Sequence, residues 1–274
     1  MAWTEIARAE HVRAGPRYAS DVTDAEWAIV GPFLERPTKV GRPAKHTRRN
    51  IWDAVRYLAA SGCQWRMPPK DFPPYSTVRH YFYRWRDSGS IVAIDEALTA
   101  ASRLAAGRAE AASAGIIDSQ SVKTTECGGP RGHDAGKKVK GRERHIVIDT
   151  LGNILDAVVH TADIQDRDGA PDLIECVREN FPALARIFAD GGYAREKLAA
   201  AIAHLGGLAL EIVKRSDAAA GFVVLPKRWI VERTFAWLGR CRRLAKDWEA
   251  SIASSEAWLF LASVQRLTRA IARA

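Results

Sequence analysis

Nowhere in the 274 residues does an apolar run approach membrane-spanning length; a helix would need about 18 such residues, so no membrane span is expected. The opening MAWTEIARAEHVRAG has no apolar stretch and mixes both charge signs, which argues against a secretory signal. Four cysteines, Cys63, Cys127, Cys176 and Cys241, are scattered, and none forms a CxxC pair. That spacing argues against structural zinc and for reduced thiols in a cytoplasmic protein. Acids are in short supply: 41 Lys and Arg face 32 Asp and Glu, leaving a formal net charge of +9. The excess favours polyanionic partners, nucleic acid first. The remaining profile, 47% hydrophobic and 27% charged residues, suits a globular chain of one large or two modest domains.

Most of the positive excess falls in one short tract. Between Gly41 and Arg86 stand Arg42, Lys45, Arg48, Arg49, Arg56, Arg66, Lys70, Arg79, Arg84 and Arg86, opposed only by Asp53 and Asp71. Three helices are expected in the N-terminal third, the first before this tract and two within it. Thr23 is placed to cap the first, and Thr47 a second with Ile51, Val55, Leu58 and Ala59 as its apolar stripe. Ser61-Gly62 stops the second, and Pro68, Pro69, Pro73 and Pro74 make a rigid connection. Ser76 is read as the cap of the third, which runs to Gly89 and is the candidate for entering a DNA groove, with Arg79 and His80 near its start. Its distance from the second helix is too long for a helix-turn-helix. The interleaved aromatics could form a small core or stacking faces. The plainer alternative is a helical subdomain whose arginines merely stay wet. An alanine-rich helix over Ile91 to Ala112 is expected to link this tract to a second domain.

From Ala114 the pattern changes to strands. Ile116-Ile117-Asp118-Ser119 is an apolar run ended by an acid. A glycine-rich loop comes next, then HIVIDTLGNILDAVVHTA, read as a hairpin turning at Leu151-Gly152-Asn153. A helix over Asp168 to Phe181, a strand Ala185 to Asp190, a helix Glu196 to His204 and a strand Leu208 to Val213 complete the order. That succession builds a ribonuclease H-like mixed sheet flanked by helices. In it, the acids ending the first and fourth strands, Asp118 and Asp190, become neighbours. Taken singly, each acid reads more simply as a strand end or a turn. Lys123 and the run Lys137-Lys138-Val139-Lys140-Gly141-Arg142, placed just before the second strand, could clamp phosphates. Asp163, Asp166 and Asp168 read as helix-start acids, and His133, His145 and His160 as structural or DNA-facing.

Lys227 to Trp248 reads as one helix whose stripe, Ile230, Trp237, Leu238, Cys241, Ala245 and Trp248, faces the core. Arg228, Glu232, Gly239 and Arg243 fall on another face. A lone Glu beside Arg228 would ordinarily be a surface pair of small worth. Together with two aspartates at adjacent strand ends, it can complete a cluster of three carboxylates. Such clusters suit hard divalent ions, which take oxygen ligands and share them with substrate phosphates.

Six segments in order, GCQWRMPPKDFPPYSTVRHYFYRW, IIDSQSVKTT, GKKVKGRERHIVIDTLG, ADIQDRDGA, IFADGGYA and PKRWIVERTFAWLGRCRRLAKDWE, resemble bacterial insertion-sequence transposases of the DDE type, in the group named for insertion sequence five. The resemblance covers nearly the whole chain. It implies a helical DNA-binding domain over 1–112 and a ribonuclease H-like catalytic domain over 113–274. Asp118, Asp190 and Glu232 correspond to the catalytic and metal-binding acids. They would hold Mg²⁺, with Mn²⁺ as a substitute and two ions as the expected number. The family pattern has Tyr, then Arg, then Glu, then a basic residue. Arg228 matches, Leu225 stands for Tyr, and Gly239 stands for the basic residue with Arg240 beside it. The resemblance implies cutting at element ends and joining to target DNA, on a homodimer or larger assembly bound to duplex DNA. The expected DNA contacts are Arg42, Lys45, Arg48, Arg49, Arg79, Arg84, Lys123, Lys137, Lys138, Lys140, Arg142, Arg228, Arg240 and Arg243. An inactive DNA-binding derivative and a stand-alone nuclease of the same fold are the alternatives.

Overall fold

A computed structural model describes residues 16–35, 44–194, 196–213 and 227–273. Arg42 and Leu225 lie outside the described residues. Among the described residues four helices come first: α1 (Asp24–Leu34), α2 (Arg48–Ser61), α3 (Tyr75–Asp87) and α4 (Ser90–Ala105). The Thr23 and Thr47 side chains cap α1 and α2, accepting from the backbone N–H groups of Glu26 and Asn50. Helix α2 stops at Gly62, whose φ of 68° is left-handed and suits glycine. Ser76 is not a cap: Pro74 holds that position and Ser76 lies in the first turn of α3, because a proline needs no N–H partner where the helix begins. The alanine-rich helix ends at Ala105, before Ala112, and it buries Ile91, Ile94 and Leu98.

The sheet is built from β1 (Ala114–Lys123), β2 (Gly132–Asp134), β3 (Val139–Asp149), β4 (Ile154–Thr161), β5 (Arg186–Ala189) and β6 (Ala209–Ile212). Strand β3 pairs antiparallel with β1 on one edge and with β2 and β4 on the other. Strands β1, β5 and β6 run parallel. Helices α5 (Asp166–Asn180) and α6 (Glu196–Ile202) make the crossovers, while α7 (Arg228–Leu238) and α8 (Ile252–Ile271) come after the sheet. The path β4-β3-β1-β5-β6 is a ribonuclease H-like mixed sheet preceded by helices.

Two strands are longer than expected. Strand β1 runs through Asp118 to Lys123, and β3 starts at Val139, so most of the basic run belongs to the sheet. Alternation along the strands divides two apolar clusters. Ile117, Val147 and Ile187 face α5 and α6, which bury Leu173, Ile174, Val177 and Leu198 there. Ile116, Ile146, Ile148 and Phe188 face the other way, into a cluster continuous with α1–α4, α7 and α8. Phe82 of α3 stacks on Trp258 of α8 at 4.4 Å, so much of the aromatic content builds this core.

The helix expected over Lys227 to Trp248 ends at Leu238, and Arg242–Leu244 is a separate 3-10 turn. Ile230, Leu238 and Cys241 are buried as expected, but Trp248 is exposed. Among the described residues, no helix is long and apolar enough to cross a membrane.

A carboxylate cluster at the end of the central strands

The β1–β5 ladder pairs Ala114 with Arg186, Gly115 with Ile187 and Ile116 with Phe188. Carried two residues further, the same register sets Asp118 beside Asp190. Both acids share the face of Ile116 and Phe188, the face that α7 covers. Each is anchored locally: the Ser119 N–H donates to Asp118 Oδ1 at 2.8 Å, and the Gly192 N–H to Asp190 Oδ1 at 2.7 Å. A Cβ at position 192 would lie 2.9 Å from Asp190 Oδ1, so a side chain there would push that carboxylate oxygen aside.

Glu232 reaches the pair through Arg228, one turn earlier on α7. Arg228 Nη2 lies 3.5 Å from Asp190 Oδ2 and 3.9 Å from Glu232 Oε1. Burial pushes the Asp118 carboxyl up to about 6; the charges of Asp190 and Asp166 add to the rise, against the Ser119 N–H and the Arg228 guanidinium. Glu232 remains exposed. Among the described residues, no three acids, histidines or cysteines close around one point as metal ligands. The cluster therefore faces a shared space in which Arg228 supplies the positive charge.

A second polar group lies behind Asp118, on the α5 face. Ser119 Oγ lies 2.9 Å from Glu143 Oε1 and 2.7 Å from Asp166 Oδ1, its single proton shared between the two carboxylates. Ser121 donates to the same Glu143 oxygen at 3.1 Å. Lys137 Nζ sits 2.5 Å from Glu143 and 3.6 Å from Asp166. Lys137, Glu143 and Asp166 line a cleft of about 430 Å³ that also takes in Gly191 and Gly192. Sequence reasoning missed Glu143 and Ser119. The available signal was register, since Ser121 pairs directly with Glu143 across the ladder. Asp166 and Asp168 do start α5. His145 is buried, its ring bonded to the Tyr193 hydroxyl, and burial holds it down at about 3.

The expected DNA contacts divide sharply. Lys45, Arg79, Arg84, Lys123, Lys138, Lys140 and Arg240 are exposed or half-exposed. Arg79 and Arg84 lie on the outer side of α3, away from its buried Val78, Phe82 and Trp85. Arg48 sits over the Tyr81 ring at 4.1 Å, and Arg49 pairs with Asp24 at 2.5 Å. Arg142 and Arg243 are corrections, because both are buried. Arg142 donates to Asp247 Oδ2 at 3.1 Å and Ser255 Oγ at 2.8 Å; Arg243 holds Glu249 at 2.5 Å and the Cys63 carbonyl at 2.8 Å. Their guanidinium groups are consumed in tying the C-terminal segment to β3 and α2. Lys137 is half-committed to Glu143, and Arg228 points into the acids.

Comparison with known proteins identifies the family. A family model described as "Transposase DDE domain" matches residues 110–265, and one described as "Putative transposase of IS4/5 family" matches residues 22–94. An uncharacterised protein of Sinorhizobium fredii is 32% identical over 80 residues, 29% of this chain and 62% of the relative's length. The chain thus spans somewhat under two thirds of that relative. With the first match covering more than half of the chain and a ribonuclease H-like sheet beneath it, the protein belongs to the DDE transposases of the IS4/5 type.

Proposed function

We propose that the protein cuts DNA at insertion-sequence ends and joins the freed ends to target DNA, with Asp118, Asp190 and Glu232 as its catalytic acids. The register that aligns Asp118 with Asp190, under a helix carrying Glu232, carries this reading. The oxygen donors are of the kind a hard divalent cation takes; Asp118 and Asp190 stand side by side, and Glu232, which meets them only through Arg228, would have to move in to close the set. Asp118, Asp190 and Glu232 would hold Mg²⁺, two ions by preference, with Mn²⁺ as a substitute. Bound there, such ions neutralise charge on the phosphodiester undergoing displacement.

The chain's own residues do the positioning. The Ser119 and Gly192 N–H groups fix one oxygen of each aspartate, leaving the other to face the shared space. Glu143, Asp166 and Lys137 brace β1 from behind. Arg228 balances the acids until a phosphate or a cation replaces their contact. We assign DNA binding chiefly to residues 1–112, with Arg79, His80 and Arg84 displayed on α3, and catalysis to 113–274. Lys123, Lys138 and Lys140 add charge beside the acids' sheet. Duplex DNA, both element ends and target, is the partner. Acting on two ends calls for a dimer or larger assembly, in the cytoplasm.

Asp118→Asn or Glu232→Gln should lower Mg²⁺-dependent cleavage at least about a hundredfold while leaving duplex affinity unchanged. Wild-type cutting by either variant would overturn the assignment. Cleavage without joined products would favour the stand-alone nuclease, and binding without cleavage by the wild type would favour the inactive derivative.

A further inference from the structure

At the far end of α7 lies a pocket of about 680 Å³ that none of the catalytic acids touches. Four arginines line it: Arg240, just past α7, and Arg266, Arg269 and Arg273, on α8 and its C-terminal edge. The last three are spaced three and four residues apart, which puts them on one helix face. No Asp or Glu is among the lining residues described.

The four differ in how they are held. Arg266 donates to the Gly152 carbonyl at 3.2 Å and to Asn153 Oδ1 at 3.0 Å, with Asp95 and Asp149 behind it. Arg269 donates to the Ala19 carbonyl at 2.9 Å and lies 3.9 Å from Glu26. These two form a fixed positive wall supported from the protein interior. Arg240 and Arg273 are exposed, and their side chains have no hydrogen bond or ion pair among the described residues. Two anchored and two free guanidiniums are suited to one class of ligand: successive anionic oxygens, which arginine takes as bidentate partners.

Base recognition is disfavoured. The only aromatic in the lining described is Trp237, whose ring already carries the guanidiniums of Arg233 at 4.4 Å and Arg266 at 4.8 Å. Phosphates, not bases, match what is exposed. Position along α7 supplies the source. Arg240 lies eight residues after Glu232, about 12 Å at the helical rise. A duplex strand advances about 3.4 Å per nucleotide. A duplex laid with its axis along α7 would cover that distance in roughly three to four base pairs.

We propose that this arginine pocket is a second anchor for the DNA backbone, gripping phosphates a few nucleotides from the scissile one. The inference rests on the transposase reading and adds a site to it. Such an anchor fixes the strand's register against the acids without reading its sequence.

The test is duplex affinity of the full chain, measured by fluorescence anisotropy on a short mixed-sequence duplex in EDTA, over a series of salt concentrations. Arg240→Gln/Arg273→Gln is compared with wild type, with Arg240→Lys/Arg273→Lys, and with Arg108→Gln/Arg186→Gln. The last pair removes equal charge away from the pocket. If each free arginine neutralises one phosphate, the Gln variant's slope of log affinity against log salt becomes shallower by about 1 to 2. The Lys variant should keep most of the wild-type slope even where it loses affinity, because the slope counts the phosphates neutralised and not the geometry of the contact. A Gln variant indistinguishable from the Arg108/Arg186 control overturns the pocket and leaves the transposase reading standing. A wild type that binds no duplex overturns both.

Discussion

Arg228 is the residue on which the chemistry turns. Its guanidinium stands among carboxylates that, in the proposed function, receive divalent cations. Cation and guanidinium then compete for the same oxygens. In the absence of DNA, Arg228→Gln should bind Mn²⁺ more tightly than wild type, by about twofold to fivefold, the range expected from losing a partly exposed charge contact worth up to about 1 kcal/mol. Electron paramagnetic resonance of free Mn²⁺ reads this directly, and equal or weaker binding by the variant would contradict it. Asp118 sets the pH range. Its carboxyl is pushed up to about 6 by burial first and then by neighbouring acids, so the anion exists above that value and the proton wins below it. Mn²⁺ affinity should therefore fall as pH drops through about 6, by up to roughly tenfold per unit. Titration with calorimetry at several pH values checks this. Arg228 was visible in the sequence as a basic neighbour of Glu232. Its direction, inward to acids rather than outward to phosphate, was not, because helical spacing gives a face but not what the face meets.

At the scale of elements, β1 and β3 show where sequence reading stops. The helical and apolar stretches declared themselves through caps and periodicity, as Thr23, Thr47 and Gly62 do. The polar halves of β1 and β3 did not. Ser119, Gln120 and Ser121 pair with His145, Arg144 and Glu143, two polar runs in which alternation is hidden because their partners include distant groups: Tyr193 for His145 and the Leu244 and Lys246 carbonyls for Arg144. Burial of Arg142 was equally hidden, since its partners Asp247 and Ser255 lie more than a hundred residues away. Arg142→Ala should lower unfolding free energy by about 3–5 kcal/mol, because it strands Asp247 uncompensated in the interior. Lys140→Ala, exposed two residues earlier, should stay within about 0.5 kcal/mol. Urea denaturation separates the two. A small effect at Arg142 would restore it as a candidate DNA contact. Asp118 and Asp190, by contrast, were legible as a pair, because the β-β-β-α-β order itself dictates which strands become neighbours.

For the whole molecule, the interface of α4 with α8 contains a buried acid with no place in the proposed reaction. Asp95 is pushed up to about 7 by burial, with the Ser263 hydroxyl and the Arg266 charge opposing the rise. An acid whose folded value is raised stabilises the fold fully below its ordinary value of 3.8 and loses that contribution as pH climbs to about 7. The loss is roughly 1.4 kcal/mol for each unit between. Asp95→Asn should flatten this slope, gaining thermal stability over wild type at pH 8 and little at pH 4; melting curves at the two values test it. The same interface has a bearing on how such proteins can be recombined. Ile116, Ile146, Ile148 and Ile154 of the sheet are kept from water by the apolar mass that α1–α4 share with α8. A chimera that swaps the leading helices between relatives must therefore import matching contact residues on the strands, or leave a bare oily plane that drives the hybrid out of solution.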